Sequence, residues 1–97
     1  MSHDYHFHLD QGAHSVTVTV RLGSRRELEM LVDGKEVAHE RVHGHQAETH
    51  LLSAVLPTDP PKPVSARVEL PSRGRGEPSC VLEVDGRSLP MASRVPA

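Results

Sequence analysis

Between Ser15 and Leu22 apolar and polar residues alternate without a break, Val16, Val18, Val20 and Leu22 against Ser15, Thr17, Thr19 and Arg21. Residues two apart share one face of an extended strand, whereas a helix would scatter these four around its circumference. Three of the four are β-branched, which disfavours a helix and suits a pleated surface. The segment therefore reads as a strand with one buried face, and its partners must keep the same period.

That period recurs along the chain. Tyr5, Phe7 and Leu9 alternate with Asp4, His6 and His8, which turns the histidines to water. Leu28, Met30 and Val32 alternate with Glu27, Glu29 and Leu31 up to Asp33-Gly34, a pair that accepts the left-handed backbone of a tight hairpin. The return segment from Lys35 to Val42 carries Glu36 and Glu40 on one face and Lys35, His39 and Arg41 on the other, the pattern of a protected edge strand. Val64, Ala66, Val68 and Leu70 alternate again, as do Cys80, Leu82 and Val84, before a second Asp-Gly turn at Asp85-Gly86 and a short return to Leu89 that Pro90 stops.

Two segments break the pattern. From Thr49 to Leu56 apolar residues occupy both parities, with Leu51 and Val55 on one and Leu52, Ala54 and Leu56 on the other, so strand and short helix both remain open. Pro57-Thr58-Asp59-Pro60-Pro61-Lys62-Pro63 predicts an extended connector.

The order of parts repeats. An alternating strand, an Arg-rich loop, a second strand, a Val-Asp-Gly-basic turn and a return strand occur twice, and Val32-Asp33-Gly34-Lys35-Glu36-Val37 corresponds to Val84-Asp85-Gly86-Arg87-Ser88-Leu89. The expected architecture is all-β: an antiparallel β-sandwich of about seven to eight short strands in two similar meanders joined by the proline-rich connector, with a small barrel as the other arrangement. A single domain over residues 1–91 is expected, followed by a disordered tail at 92–97.

A chain of 97 residues builds one modest core, and here Tyr5 and Phe7 are the only aromatic residues while isoleucine and tryptophan are absent. The core must be made mainly of valine and leucine. No apolar run approaches the roughly 20 residues that cross a bilayer, Met1-Ser2-His3-Asp4 is unlike a signal peptide, and one cysteine excludes an internal disulfide. Together these predict a cytoplasmic protein with no membrane association. Arginine outnumbers lysine nine to two and isoleucine and asparagine are missing, a bias of GC-rich bacterial genomes. The formal charge of −2 supplies no overall field toward nucleic acid, although protonation of all eight histidines would carry it to +6.

Phe7-His8-Leu9-Asp10, the stretch Leu28-Glu29-Met30-Leu31-Val32-Asp33-Gly34-Lys35-Glu36-Val37, Glu48-Thr49-His50 and Leu82-Glu83-Val84-Asp85-Gly86-Arg87-Ser88-Leu89-Pro90 together resemble one domain of the Fas apoptotic inhibitory molecule family. The resemblance spans nearly the whole chain. It implies a compact β-sandwich that acts through protein contacts without catalysis, and it carries over no catalytic residue.

Three groups of residues carry chemistry. His6-Phe7-His8 and His43-Gly44-His45 each place two imidazoles on one face of a strand, so they are candidate zinc ligands if the pairs meet or if Asp4 or Glu48 joins them. His43, His45 and Glu48 are also similar to the cupin metal motif, but the glutamate is one residue too close and the second motif is missing. Arg25, Arg26, Arg73 and Arg75 lie in equivalent loops of the two meanders and are expected to gather at one end of a sandwich, where they would meet an acidic partner. Nucleic acid is the weaker fit because stacking aromatics are scarce. Cys80, in register with Leu82 and Val84, reads as a buried small hydrophobe, and no hydrolase or phosphate-loop motif is present. The expectation is a non-enzymatic protein-interaction module without a cofactor, a monomer or weak homodimer, with a histidine-rich zinc protein as the second reading.

Overall fold

The computed structural model describes residues 3–94 of the chain. Nine strands follow one another in these residues: β1 His3–Gln11, β2 His14–Leu22, β3 Arg26–Val32, β4 Lys35–Val42, β5 Glu48–Leu56, β6 Lys62–Leu70, β7 Ser79–Val84, β8 Arg87–Pro90 and β9 Ala92–Arg94. They form two antiparallel sheets, ordered β4-β3-β2-β1-β9 and β5-β6-β7-β8, that face each other and do not close into a barrel. Among the described residues no helix is long and apolar enough to cross a membrane.

The alternating residues are the core. Val16, Val18, Val20, Leu28 and Met30 of the first sheet are fully buried, as are Ala66, Val68 and Leu82 of the second. Valine and leucine fill the space between sheets, with Phe7 as the one buried aromatic. Both Asp-Gly pairs make the same hairpin: Asp33 and Gly34 have φ of 52° and 82°, Asp85 and Gly86 of 52° and 73°, the positive pair a type I′ turn requires. The Asp33 carboxylate further accepts hydrogen bonds from the Ser15 amide at 2.9 Å and the His14 ring at 2.7 Å, tying the β3–β4 turn to β2.

Four features depart from the sequence reading. The segment left open between strand and helix is strand β5, whose two-sided apolar pattern arises because Leu52 and Leu56 enter the core while Leu51 and Val55 face out. The meanders are β1–β4 and β5–β8, so the chain changes sheets through residues 43–47. The proline-rich connector instead joins β5 to β6 within the second meander, and β6 already starts at Lys62 inside it.

A bulge at Val37 shifts β4 by one residue between Met30 and Leu31. It splits the two glutamates assigned to one face: Glu36 pairs with outward Leu31, whereas Glu40 pairs with buried Leu28 and points between the sheets. Finally, β8 stops at Pro90 as expected, but the ordered chain continues past it. Met91 is buried, its amide donates to the Cys80 carbonyl at 3.0 Å, and residues 92–94 cross to the other sheet and pair with β1. Strand pairing thus continues through Arg94, where a tail was expected from residue 92, and residues 95–97 lie outside the described residues.

Truncating Leu28, fully buried at the centre of the first sheet, to alanine leaves a cavity that little can fill. Leu28→Ala is expected to cost about 2–5 kcal/mol in urea unfolding. The amide of Ser15 and then the ring of His14 hold Asp33 below its ordinary carboxylate range. A carboxylate with a depressed folded pKa stabilises above its unfolded value and loses that contribution as pH falls through the folded one. Asp33→Asn, which keeps the turn residue's left-handed tolerance, should lower the unfolding midpoint at neutral pH, and the gap should close as titration carries the pH below the ordinary carboxylate range.

Candidate anion-binding cleft

The topology sorts the loops by end. Residues 23–25, 43–47 and 71–78 cap one end of the sandwich, while the turns at Gly12, Asp33 and Asp85 and the 57–61 connector cap the other. The first set carries Arg25, His43, His45, Arg73 and Arg75 with the single acid Glu77. The second set has Asp33, Asp59 and Asp85, flanked by Asp10, Glu36 and Glu83 and by the three cations Lys35, Lys62 and Arg87. A net charge of −2 conceals this polarity.

At the basic end a cleft of about 300 Å³ is lined by Ser24, Arg25, Arg26, Arg41, Val42, His43, Gly44 and His45. A second, of about 540 Å³, adjoins it and shares Ser24, Arg26 and His45; its other walls include Tyr5, Leu22, Arg73 and Gly74. No aspartate or glutamate lines either cleft. Among the described residues no carboxylate pairs with Arg25, Arg41, Arg73 or Arg75, whereas the ion pair Lys62–Asp85 closes at 2.9 Å at the opposite end.

Arg26 holds this end together. Its side chain is only 4% exposed, and its guanidinium donates to the Pro71 carbonyl at 2.6 Å, the Gln46 carbonyl at 2.8 Å and the His45 carbonyl at 3.4 Å. The Arg73 amide donates to the His45 carbonyl at 2.9 Å. One planar donor group thus joins the loop that changes sheets to the β6–β7 loop, and carbonyls satisfy it without neutralising its charge.

Of the four arginines expected as a contact patch, Arg25 and Arg73 line the clefts and Arg75 is exposed in the same loop as Arg73. Arg26, expected in the same patch, also lines both clefts but is buried there and clamps the loops together. The sequence held the signal, since Arg26 shares the parity of Leu28, Met30 and Val32 and so points inward with them. Arg41, which the edge-strand reading left as surface charge, joins the site because β4 ends beside the 23–25 turn.

The two histidine pairs do not come together. His6 and His8 sit on the outer face of the first sheet, their Nδ1 atoms hydrogen-bonded to Thr19 at 3.2 Å and Thr17 at 3.1 Å, and His8 Nε2 meets Asp10 at 2.9 Å. His43 and His45 belong to the cleft. Among the described residues no three His, Cys, Asp or Glu side chains gather closely enough to hold a metal ion. His50 faces inward and contacts Glu40 of β4 and Glu48 of its own strand, each at 3.3 Å, which bridges the sheets on their β4–β5 side. Cys80 is buried against Met91, and burial pushes its thiol up to about 12, as suits a core residue. Compared with protein-family models, curated proteins and solved structures, the chain matches none.

Arg26→Met should free three carbonyls in a partly dry loop junction and cost about 3 kcal/mol by urea or thermal unfolding. Arg26→Lys should recover only part of that loss, because an ammonium cannot span the three acceptors as the planar fork does.

Proposed function

We propose that this chain is a non-enzymatic protein-interaction module that receives an acidic segment of a partner protein in the cleft at its basic end. The observation carrying this reading is a joined pair of clefts lined by four arginines, Arg25, Arg26, Arg41 and Arg73, and by His43 and His45, without a carboxylate among their walls. A carboxylate-rich peptide supplies the anions that the exposed guanidiniums lack and can engage them through paired N–H donors. The buried charge of Arg26 adds a fixed positive potential beneath the site.

Peptide is favoured over nucleic acid by the walls themselves, where Tyr5 is the only aromatic side chain and no row of stacking platforms exists. The resemblance to the Fas apoptotic inhibitory molecule family implies the same mode of action, through protein contacts. A reducing cytoplasm fits a chain whose single thiol is folded into its core.

A fluorescent oligoglutamate peptide tests the reading by anisotropy, with a single-stranded oligonucleotide of equal charge as comparison. Arg25→Ser combined with Arg41→Ser and Arg73→Ser, which leaves the clamp at Arg26 in place, is expected to weaken peptide binding at least about tenfold, and added salt should weaken the wild-type complex. Peptide affinity unchanged in the triple variant, or tighter binding of the oligonucleotide than of the peptide, would overturn the assignment.

A further inference from the structure

The four sheet edges are protected unequally. β4 carries Lys35, Glu36, His39, Glu40 and Arg41, is broken by the bulge at Val37 and points Glu40 inward. Each of these discourages pairing with another strand. β9 has three residues, and β8 has four, bounded by Arg87 and Pro90. β5 is the least protected of the four, with Glu48 at its first position as its one Asp, Glu, Lys or Arg. It runs nine residues in unbroken register with β6, contains neither glycine nor proline, and no Asp, Glu, Lys or Arg occurs from Thr49 through Thr58. On its outward face Leu51 is 59% exposed and Val55 58%.

We propose that β5 is the interface of a two-fold homodimer, in which it pairs antiparallel with β5 of a second copy about an axis through Ser53. The strand is complementary to itself in this register. Leu51 meets the partner's Val55 and Val55 meets the partner's Leu51, with the two Ser53 residues facing each other between them, and no like charges oppose. The row Val81–Arg67–Leu51 of one copy then continues into the partner's Val55 and the partner's Pro63, so the two four-stranded sheets become one of eight.

Charge favours the same arrangement. Antiparallel strands set the arginine-rich end of one copy beside the aspartate-rich end of the other, so the two charge asymmetries oppose and attract. A heterologous extended peptide would satisfy the backbone but not this end-to-end match. Because β5 is the one long edge among the described residues with no bulge and no charge beyond Glu48, pairing consumes it and the assembly closes at two copies. The pairing residues 50–56 do not line the basic cleft, so variants there test the dimer separately from peptide binding.

Sedimentation velocity at about 100 µM should give the wild type twice the 10.6 kDa chain mass, falling toward one chain mass as salt is raised. Leu51→Lys with Val55→Lys places like charges opposite one another and should shift the protein fully to monomer with an unchanged circular dichroism spectrum. Leu51→Lys with Val55→Glu sets opposite charges face to face in this register and should restore the dimer. Ser53→Cys, with buried Cys80 left in place, should form a disulfide-linked dimer on mild oxidation, while Thr49→Cys should not. A wild type that sediments as monomer, a folded opposite-charge variant that stays monomeric, or a Ser53→Cys protein that fails to cross-link would each overturn the proposal.

Discussion

The chain must leave its first sheet and enter its second, and it does so through residues 43–47, five positions that belong to no strand. Their backbone groups cannot use a ladder, and two of their carbonyls turn instead to the Arg26 guanidinium, which a third carbonyl at Pro71 also reaches. Burying a cation is costly unless its donors are satisfied, and here dipoles rather than a carboxylate satisfy them. The charge therefore survives burial. The same group that fixes how the two sheets meet gives the adjoining cleft its sign, so the fold's junction and the candidate site cannot be varied independently.

Much of this architecture was legible because one face of each sheet is buried and the side-chain period is two. Val16 to Leu22, Leu28 to Val32, Val64 to Leu70 and Cys80 to Val84 all enter the core as their alternation requires. What escaped was set by contacts distant in sequence. The bulge at Val37 leaves no mark in composition, yet it turns Glu40 inward. Leu51 and Val55 blurred the pattern of β5 because period-2 reasoning assumes a polar outer face. Pro90 does end β8, but buried Met91 then lets the chain cross to form β9 against β1, a pairing no local pattern announced. In the cleft, Arg25 and Arg73 were legible from equivalent loop positions; Arg41 was not, because its place depends on how β4 meets the β2–β3 turn.

The two outer faces divide the remaining surface. On the first sheet the outward row of Asp4, Arg21, Glu27 and Arg41 alternates in sign across four strands, and Thr17 and Thr19 bond the neighbouring histidines. Of the row only Glu27 meets a side-chain partner, His39 at 3.3 Å, so the rest of it is left to water and, at Arg41, to the cleft. Glu29 and Glu36 meet each other, and the hydrogen bond between them, aided by some desolvation, holds Glu29 above its ordinary carboxylate range. The second sheet shows Leu51, Val55, Val81, Pro63 and Pro90 around Arg67 and Glu83, a surface with apolar groups in need of cover. A single small core thus supports two unlike exteriors.

β1 begins at His3, opposite Leu22, and β9 ends at Arg94, opposite His6, so both outermost described strands reach the surface at the arginine-rich end. A partner fused at that end would start nearer the cleft than one attached at the far turns. A linker there would hold a tethered acidic sequence at high effective concentration, making it a built-in competitor whose grip depends on its length. The hairpin turns at the far end offer the opposite choice for engineering: new termini opened at Asp85-Gly86 would carry a fusion at the end of the sandwich away from the cleft and leave it unobstructed.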